Sequence, residues 1–164
     1  MIKQISLLLL ITVLAACNYH LRGTASVPEV LRNVYVQAAS PLLNNSFQDT
    51  LKLAGGALVD KPNPKGVIVN VLGEKFDRRS LSLSSTGKAS EFELIYSLTF
   101  EVLNVEGKTV MQKQKIDIKR NYFNDQQDIM GKGTEETLIR KEMYDQAVRE
   151  LMDRGRALVN GPPK

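Results

Sequence analysis

Residues 91–104 read EFELIYSLTFEVLN. Phe92, Leu94, Tyr96, Leu98, Phe100 and Val102 occupy every second position, with Glu91, Glu93, Ser97, Thr99 and Glu101 between them. Successive side chains of a strand point to opposite faces, so this pattern predicts a strand with one buried and one wet face. A sheet wetted on one side pairs antiparallel and gathers its helices on the other side.

The flanking segments supply the partners. NVEGKTV turns at Gly107, and VMQKQKIDIKRNYF (110–123) returns as a more polar strand with Lys113, Lys115, Asp117 and Lys119 on one side, as an edge strand would arrange them. Upstream, VIVNVLGEKFDRRSLSLSS (67–85) places Val67, Val69, Val71, Leu81 and Leu83 on one parity. NVYVQ (33–37) reads as a short strand. SPLLNNSFQDTLKLAGG (40–56) carries helix punctuation: Ser40 as N-cap, Pro41 in the first turn, Gly55-Gly56 as the stop. Its Leu43, Phe47, Leu51 and Ala54 share a face. DKPNPKG (60–66) is a turn-rich loop. The last helix opens near Gly133-Thr134 with Glu135 and Glu136 at its positive end. Ile139, Met143, Ala147, Leu151 and Leu158 make its apolar stripe, joined by Tyr144 and Val148, and Gly155 weakens its final turn. The expected fold is α+β: two helices packed on a mostly antiparallel four-stranded sheet, in two layers.

The 164 residues, 43% hydrophobic and 24% charged with a net charge of +4, suit one domain with its own core. One cysteine, Cys17, excludes an internal disulfide, and one histidine, His20, leaves no second imidazole for a zinc site. The N-terminus explains that cysteine. Lys3 precedes an apolar run broken only by Ser6 and Thr12, and Leu14-Ala15-Ala16 follow. The run is too short to span a bilayer, which needs about 20 apolar residues, so residues 1–16 read as a signal peptide. LAAC (14–17) resembles the lipobox of bacterial lipoproteins, which implies cleavage before Cys17 and a diacylglyceryl group on its thiol, with N-acylation. The alternative is a secreted protein with a free Cys17. Asn18, where aspartate would favour the inner membrane, implies the outer membrane in the lipoprotein class. Residues 17–32 are then an acylated tether, and 33–160 the single domain.

No catalytic motif is found: no G-x-x-x-x-G-K-[ST] loop, no G-x-S-x-G elbow, no H-E-x-x-H. His20 lies three residues from the anchor, without a pocket to tune it. Glu91 and Glu93 sit on a wet strand face and read as solubility. Five tyrosines, five phenylalanines and no tryptophan offer few stacking platforms for nucleic acid. What remains is a set of cations at predicted loops: Arg78, Arg79 and Lys88 around the tip Ser84 to Gly87, and Lys132 between two glycines before the last helix. An ordinary solvated loop is the plain reading, and a phosphorylated, acylated sugar is the ligand such residues would suit.

CNYHLRG, then Val27-Pro28, GKASEFELIYSLTFEVLN (87–104), RNYF (120–123) and LIRKEMYDQAVRELM (138–152) resemble the LPS-assembly lipoprotein family, LptE (also RlpB), from Cys17 to about Arg154. The resemblance implies two helices on a four-stranded sheet and no enzymatic activity. It also implies a plug in the lumen of the outer-membrane β-barrel LptD, help with that barrel's assembly, and binding of lipopolysaccharide. Partners would be LptD, lipopolysaccharide and the membrane through the Cys17 lipid, with no nucleic acid and no cofactor besides that lipid. The body would face the periplasm inside the lumen. Position by position, the barrel-contacting tip falls on Ser85, Thr86 and Gly87, and lipopolysaccharide contacts fall on Lys132, Lys88, Thr86, Arg78 and Arg79. Some members carry an aromatic-basic pair where this chain has Ser85-Thr86; Lys88 supplies the charge there, or the tip mainly touches the barrel. A generic outer-membrane lipoprotein serving another envelope machine is the alternative.

Overall fold

The Phe92–Val102 repeat forms the middle of the long strand of a mixed sheet. The computed structural model describes residues 28–83, 87, 89–123 and 132–160, the side chains of 132–134 and 159–160 excepted. A 3-10 turn at Glu29–Leu31 precedes β1 (Asn33–Gln37), α1 (Pro41–Leu53), β2 (Ala57–Leu58), β3 (Val67–Leu83), β4 (Ala89–Leu103), β5 (Thr109–Phe123) and α2 (Lys132–Asn160). The sheet order is β2-β1-β3-β4-β5.

The sheet therefore has five strands, not four, and is mixed. β1 runs parallel to β2, through Asn33↔Ala57 and Val34↔Leu58, and parallel to β3, from Val34↔Val67 to Gln37↔Asn70. A two-residue strand carries no periodicity, which is why β2 escapes sequence analysis. Helix α1 is the crossover that lets β1 and β2 run the same way. The β3–β4 and β4–β5 pairs are antiparallel, as expected.

A second correction concerns Leu81 and Leu83. The pairing slips between Val71↔Phe100 and Gly73↔Thr99, leaving Leu72 as an extra residue in β3. One inserted residue reverses the parity of everything after it. Beyond the bulge Glu74, Phe76 and Arg78 face inward opposite Leu98, Tyr96 and Leu94, while Leu81 and Leu83 are exposed. A third correction is smaller: Lys132 opens α2 rather than preceding it.

Both helices lie on the inner face. Leu43, Phe47 and Leu51 of α1 and Met143, Ala147, Val148, Leu151 and Met152 of α2 share one core with Val34, Val69, Leu94, Tyr96, Leu98, Phe100, Ile116 and Ile118. Ser40 caps α1 by accepting from the Leu43 N–H at 3.2 Å, and donates its own N–H and Oγ–H to Glu74 at 3.1 and 2.7 Å. That carboxylate sits where the helix dipole favours negative charge. Gly155 has a packing role: a Cβ there would meet Leu31 Cδ1 at 3.0 Å.

Candidate functional site

Strand pairing brings three elements to one end of the sheet. Ser82, Glu91 and Phe123 lie in register across β3, β4 and β5, and the opening turns of α2 reach the same end. On the inner face there, polar groups replace the aliphatic core.

Glu136 is the centre of this cluster. Its Oε2 accepts from Tyr122 Oη at 2.6 Å and from Arg78 Nη1 at 3.2 Å. Its Oε1 accepts from Arg140 Nη2 and Nε at 2.7 and 3.0 Å. Each guanidinium also lies over an aromatic ring, Arg78 3.8 Å from the Phe92 centroid and Arg140 4.0 Å from that of Phe76. Phe92 in turn stacks on Tyr122 at 5.6 Å. Burial works against the Glu136 charge. The hydrogen bonds from Tyr122 and Arg140 and the attraction of Arg140 and Arg78 outweigh it, holding its pKa below the ordinary carboxylate value. Tyr122 is pushed up to about 12 by burial and by its bond to Glu136.

Arg79, adjacent in sequence to Arg78, emerges on the opposite face. Its Nε sits 2.5 Å from Oε2 of Glu93, a carboxylate buried on what the alternation marks as the wet side. The two arginines expected to act together therefore face different surroundings. Gly87 marks the hairpin tip with φ of +77°. Cys17, Ser85, Thr86 and Lys88 lie outside the described residues, as does the Lys132 side chain; the Lys132 backbone opens α2 at this end.

The outer face carries no helix among the described residues. It presents polar groups paired along and across strands: Lys75–Asp77 at 2.6 Å, Lys115–Asp117 at 2.9 Å, Ser97 Oγ donating to Asp117 at 2.5 Å and Asn70 Nδ2 to Glu101 at 2.8 Å. The Ser97 hydrogen bond and Lys115 lower the Asp117 pKa. Such exposed pairs add little stability, about 0–1 kcal/mol each, so this face is better read as a surface than as a staple. At its distal rim Leu83 and Phe123 are exposed, at 66% and 74%. An apolar cleft at the other end, lined by Val30, Leu31, Val110, Met152, Gly155 and Leu158, has no charged wall. Among the described residues no cluster of His, Cys, Asp and Glu is arranged to hold a metal, and no helix is long and apolar enough to cross a membrane.

Sequence reasoning found Arg78 but not Glu136, Arg140, Tyr122, Phe76 and Phe92 as its neighbours. Glu136 and Arg140 stand at i, i+4 spacing, a legible pair. Their meeting with β3 and β5 depends on the Leu72 bulge, which no pattern announces.

The sequence model of the LptE lipopolysaccharide-assembly family matches residues 31–154. The chain belongs to the LptE family. Among its LptE relatives, the LPS-assembly lipoprotein of Photorhabdus laumondii is 26% identical over 146 residues, 88% of this chain and 79% of that protein. That of Yersinia enterocolitica is 27% identical over 147 residues, covering 88% and 70%. The fold is shared with lipoprotein B of Nitrosomonas europaea, at TM-score 0.70 and 22% identity over 88% of this chain and 94% of that one. The rare lipoprotein B of Shewanella oneidensis matches at TM-score 0.61 and 29% identity, over 78% and 97%.

Proposed function

We propose that this LptE-family chain is an outer-membrane lipoprotein, anchored through acyl groups on Cys17, that sits in the lumen of an LptD-type β-barrel. It assists assembly of that barrel and binds lipopolysaccharide at its distal end. Facing the periplasm, it serves delivery of lipopolysaccharide to the outer leaflet and turns over no substrate.

The observation that carries this reading is the outer face of β3, β4 and β5, free of helices among the described residues and lined with paired charges. The interior of a transmembrane barrel is polar, and such a face matches it where an apolar one would not. The lipopolysaccharide contacts are assigned to the end where Lys132 opens α2 beside the hairpin tip, with Lys88, Thr86, Arg78 and Arg79 around it. Lipid A is a phosphorylated, acylated disaccharide, so cations beside the exposed Leu83 and Phe123 suit both of its parts. Ser85, Thr86 and Gly87 form the tip assigned to the barrel wall.

The test is purification of the C-terminally tagged chain from gently solubilised membranes. A stoichiometric large β-barrel in the eluate supports the plug. Recovery alone, or with a different envelope assembly, overturns it.

A further inference from the structure

We propose that Arg78 and Arg140 together form one phosphate-binding site, in which Glu136 is a positioning residue. The proposal deepens the lipopolysaccharide reading above and rests on it for the identity of the ligand.

Two guanidinium groups from elements far apart in sequence do not share a small volume without a reason, because like charges repel. Here the two oxygens of one carboxylate hold both, Arg78 on Oε2 and Arg140 on Oε1. Any group of carboxylate size on the solvent side is therefore within reach of both. The aromatic faces of Phe92 and Phe76 lie against the guanidinium planes and restrict their rotation. A guanidinium has five N–H donors. Arg78 commits one to Glu136 and Arg140 two, and no other partner is found for either among the described residues.

Exposure gives the direction of approach. The Arg78 and Arg140 side chains are 44% and 39% exposed, and Glu136 between them only 17%. The remaining donors thus flank a carboxylate that lies deeper than they do. Two arginines and one glutamate leave a local charge of +1, which a phosphate monoester of about −1.5 to −2 brings close to neutral. Planar forks that grip two oxygens at once are the feature that makes arginine suited to phosphate. Lys132 lies four residues before Glu136, about one helical turn, so the site adjoins the region already assigned to the ligand.

The experiment uses the mature full-length chain in mild detergent. Wild type, Arg78→Gln, Arg140→Gln, Arg140→Lys and the double glutamine variant are titrated with lipopolysaccharide, with dephosphorylated lipopolysaccharide, and with glucosamine 1-phosphate. Thermal unfolding of each variant is recorded in parallel. Each single glutamine variant is expected to weaken lipopolysaccharide binding about tenfold, the worth of one charge-assisted hydrogen bond. The double variant should lose less than the product of the two, because both donors serve one anion, and Arg140→Lys should recover only part. Dephosphorylated ligand should bind all variants alike. Losses equal for both forms of the ligand would reduce the cluster to a structural clamp and overturn the site. Arginine-dependent binding of glucosamine 1-phosphate without any lipopolysaccharide binding would sink the ligand reading and keep the site. Binding of neither probe by the folded wild type would refute both.

Discussion

Replacing Tyr96 with phenylalanine should stabilise this domain. Tyr96 is fully buried in the centre of β4, with its ring 4.5 Å from that of Tyr144 and 6.3 Å from that of Phe76. Its hydroxyl makes no hydrogen bond among the described residues. Burial, and then the nearby Glu74 carboxylate, push its pKa far above the ordinary phenol value. A buried hydroxyl without a partner costs about 1–3 kcal/mol relative to water, and deleting one oxygen leaves the ring contacts intact. The expected gain is about 1–2 kcal/mol, with about 3–5 °C in Tm for each kcal/mol in a domain of this size. Tyr122→Phe is the control with the opposite sign. It deletes a 2.6 Å hydrogen bond to a carboxylate and should cost about 1–2 kcal/mol. Urea unfolding followed by far-ultraviolet circular dichroism measures both, with the slope m unchanged if only stability moves. A Tyr96→Phe variant less stable than wild type by 1 kcal/mol or more would refute the reasoning. It would mean that the hydroxyl is bonded in solution, to Glu74.

Other substitutions test the register and the distal cluster. At Gly66 an added Cβ would fall 2.1 Å from the Asn33 carbonyl oxygen, so Gly66→Ala should force β1 away from the start of β3 and cost at least about 2 kcal/mol by chemical denaturation. Leu81→Ser with Leu83→Ser should change stability by less than about 0.5 kcal/mol each, because the bulge at Leu72 turns both outward; a loss of several kcal/mol would place them in the core. Glu136 has a folded-state pKa below its unfolded value, so it adds stability above the ordinary carboxylate range and loses it as pH falls through the folded value. Its neighbours Arg78, Arg140 and Tyr122 keep their protons throughout that fall. Glu136→Gln should therefore cost most near neutral pH, and its unfolding curve should converge on wild type below about pH 4.

The parts of this fold that are legible in sequence are those where a single face is buried. The β4 alternation, the Ser40 cap of α1 and the α2 stripe each report burial against solvent along one element, and Leu43, Phe47, Leu51, Met143, Ala147 and Leu151 all fall in the core. Phe92 is a partial exception, because Arg78 and Tyr122 rather than an aliphatic side chain cover it. What was illegible depends on relations between elements. Two residues of β2 have no period, and the extra Leu72 leaves no mark in composition. Arg78 and Arg79 look equivalent as neighbours in a basic stretch. Strand geometry separates them, sending one to Glu136 and the other to Glu93. The distal cluster needs three elements in place before it exists, so only its Glu136–Arg140 spacing could have been noticed.

The plug reading meets its most direct test in cells, with a photo-crosslinking residue in place of Ser97 at the middle of the outer sheet face. The expected result is one adduct of high mass, formed on illumination, that contains the outer-membrane β-barrel. An adduct with another envelope protein, or none while the chain is folded and membrane-bound, would contradict insertion of this face into a barrel lumen.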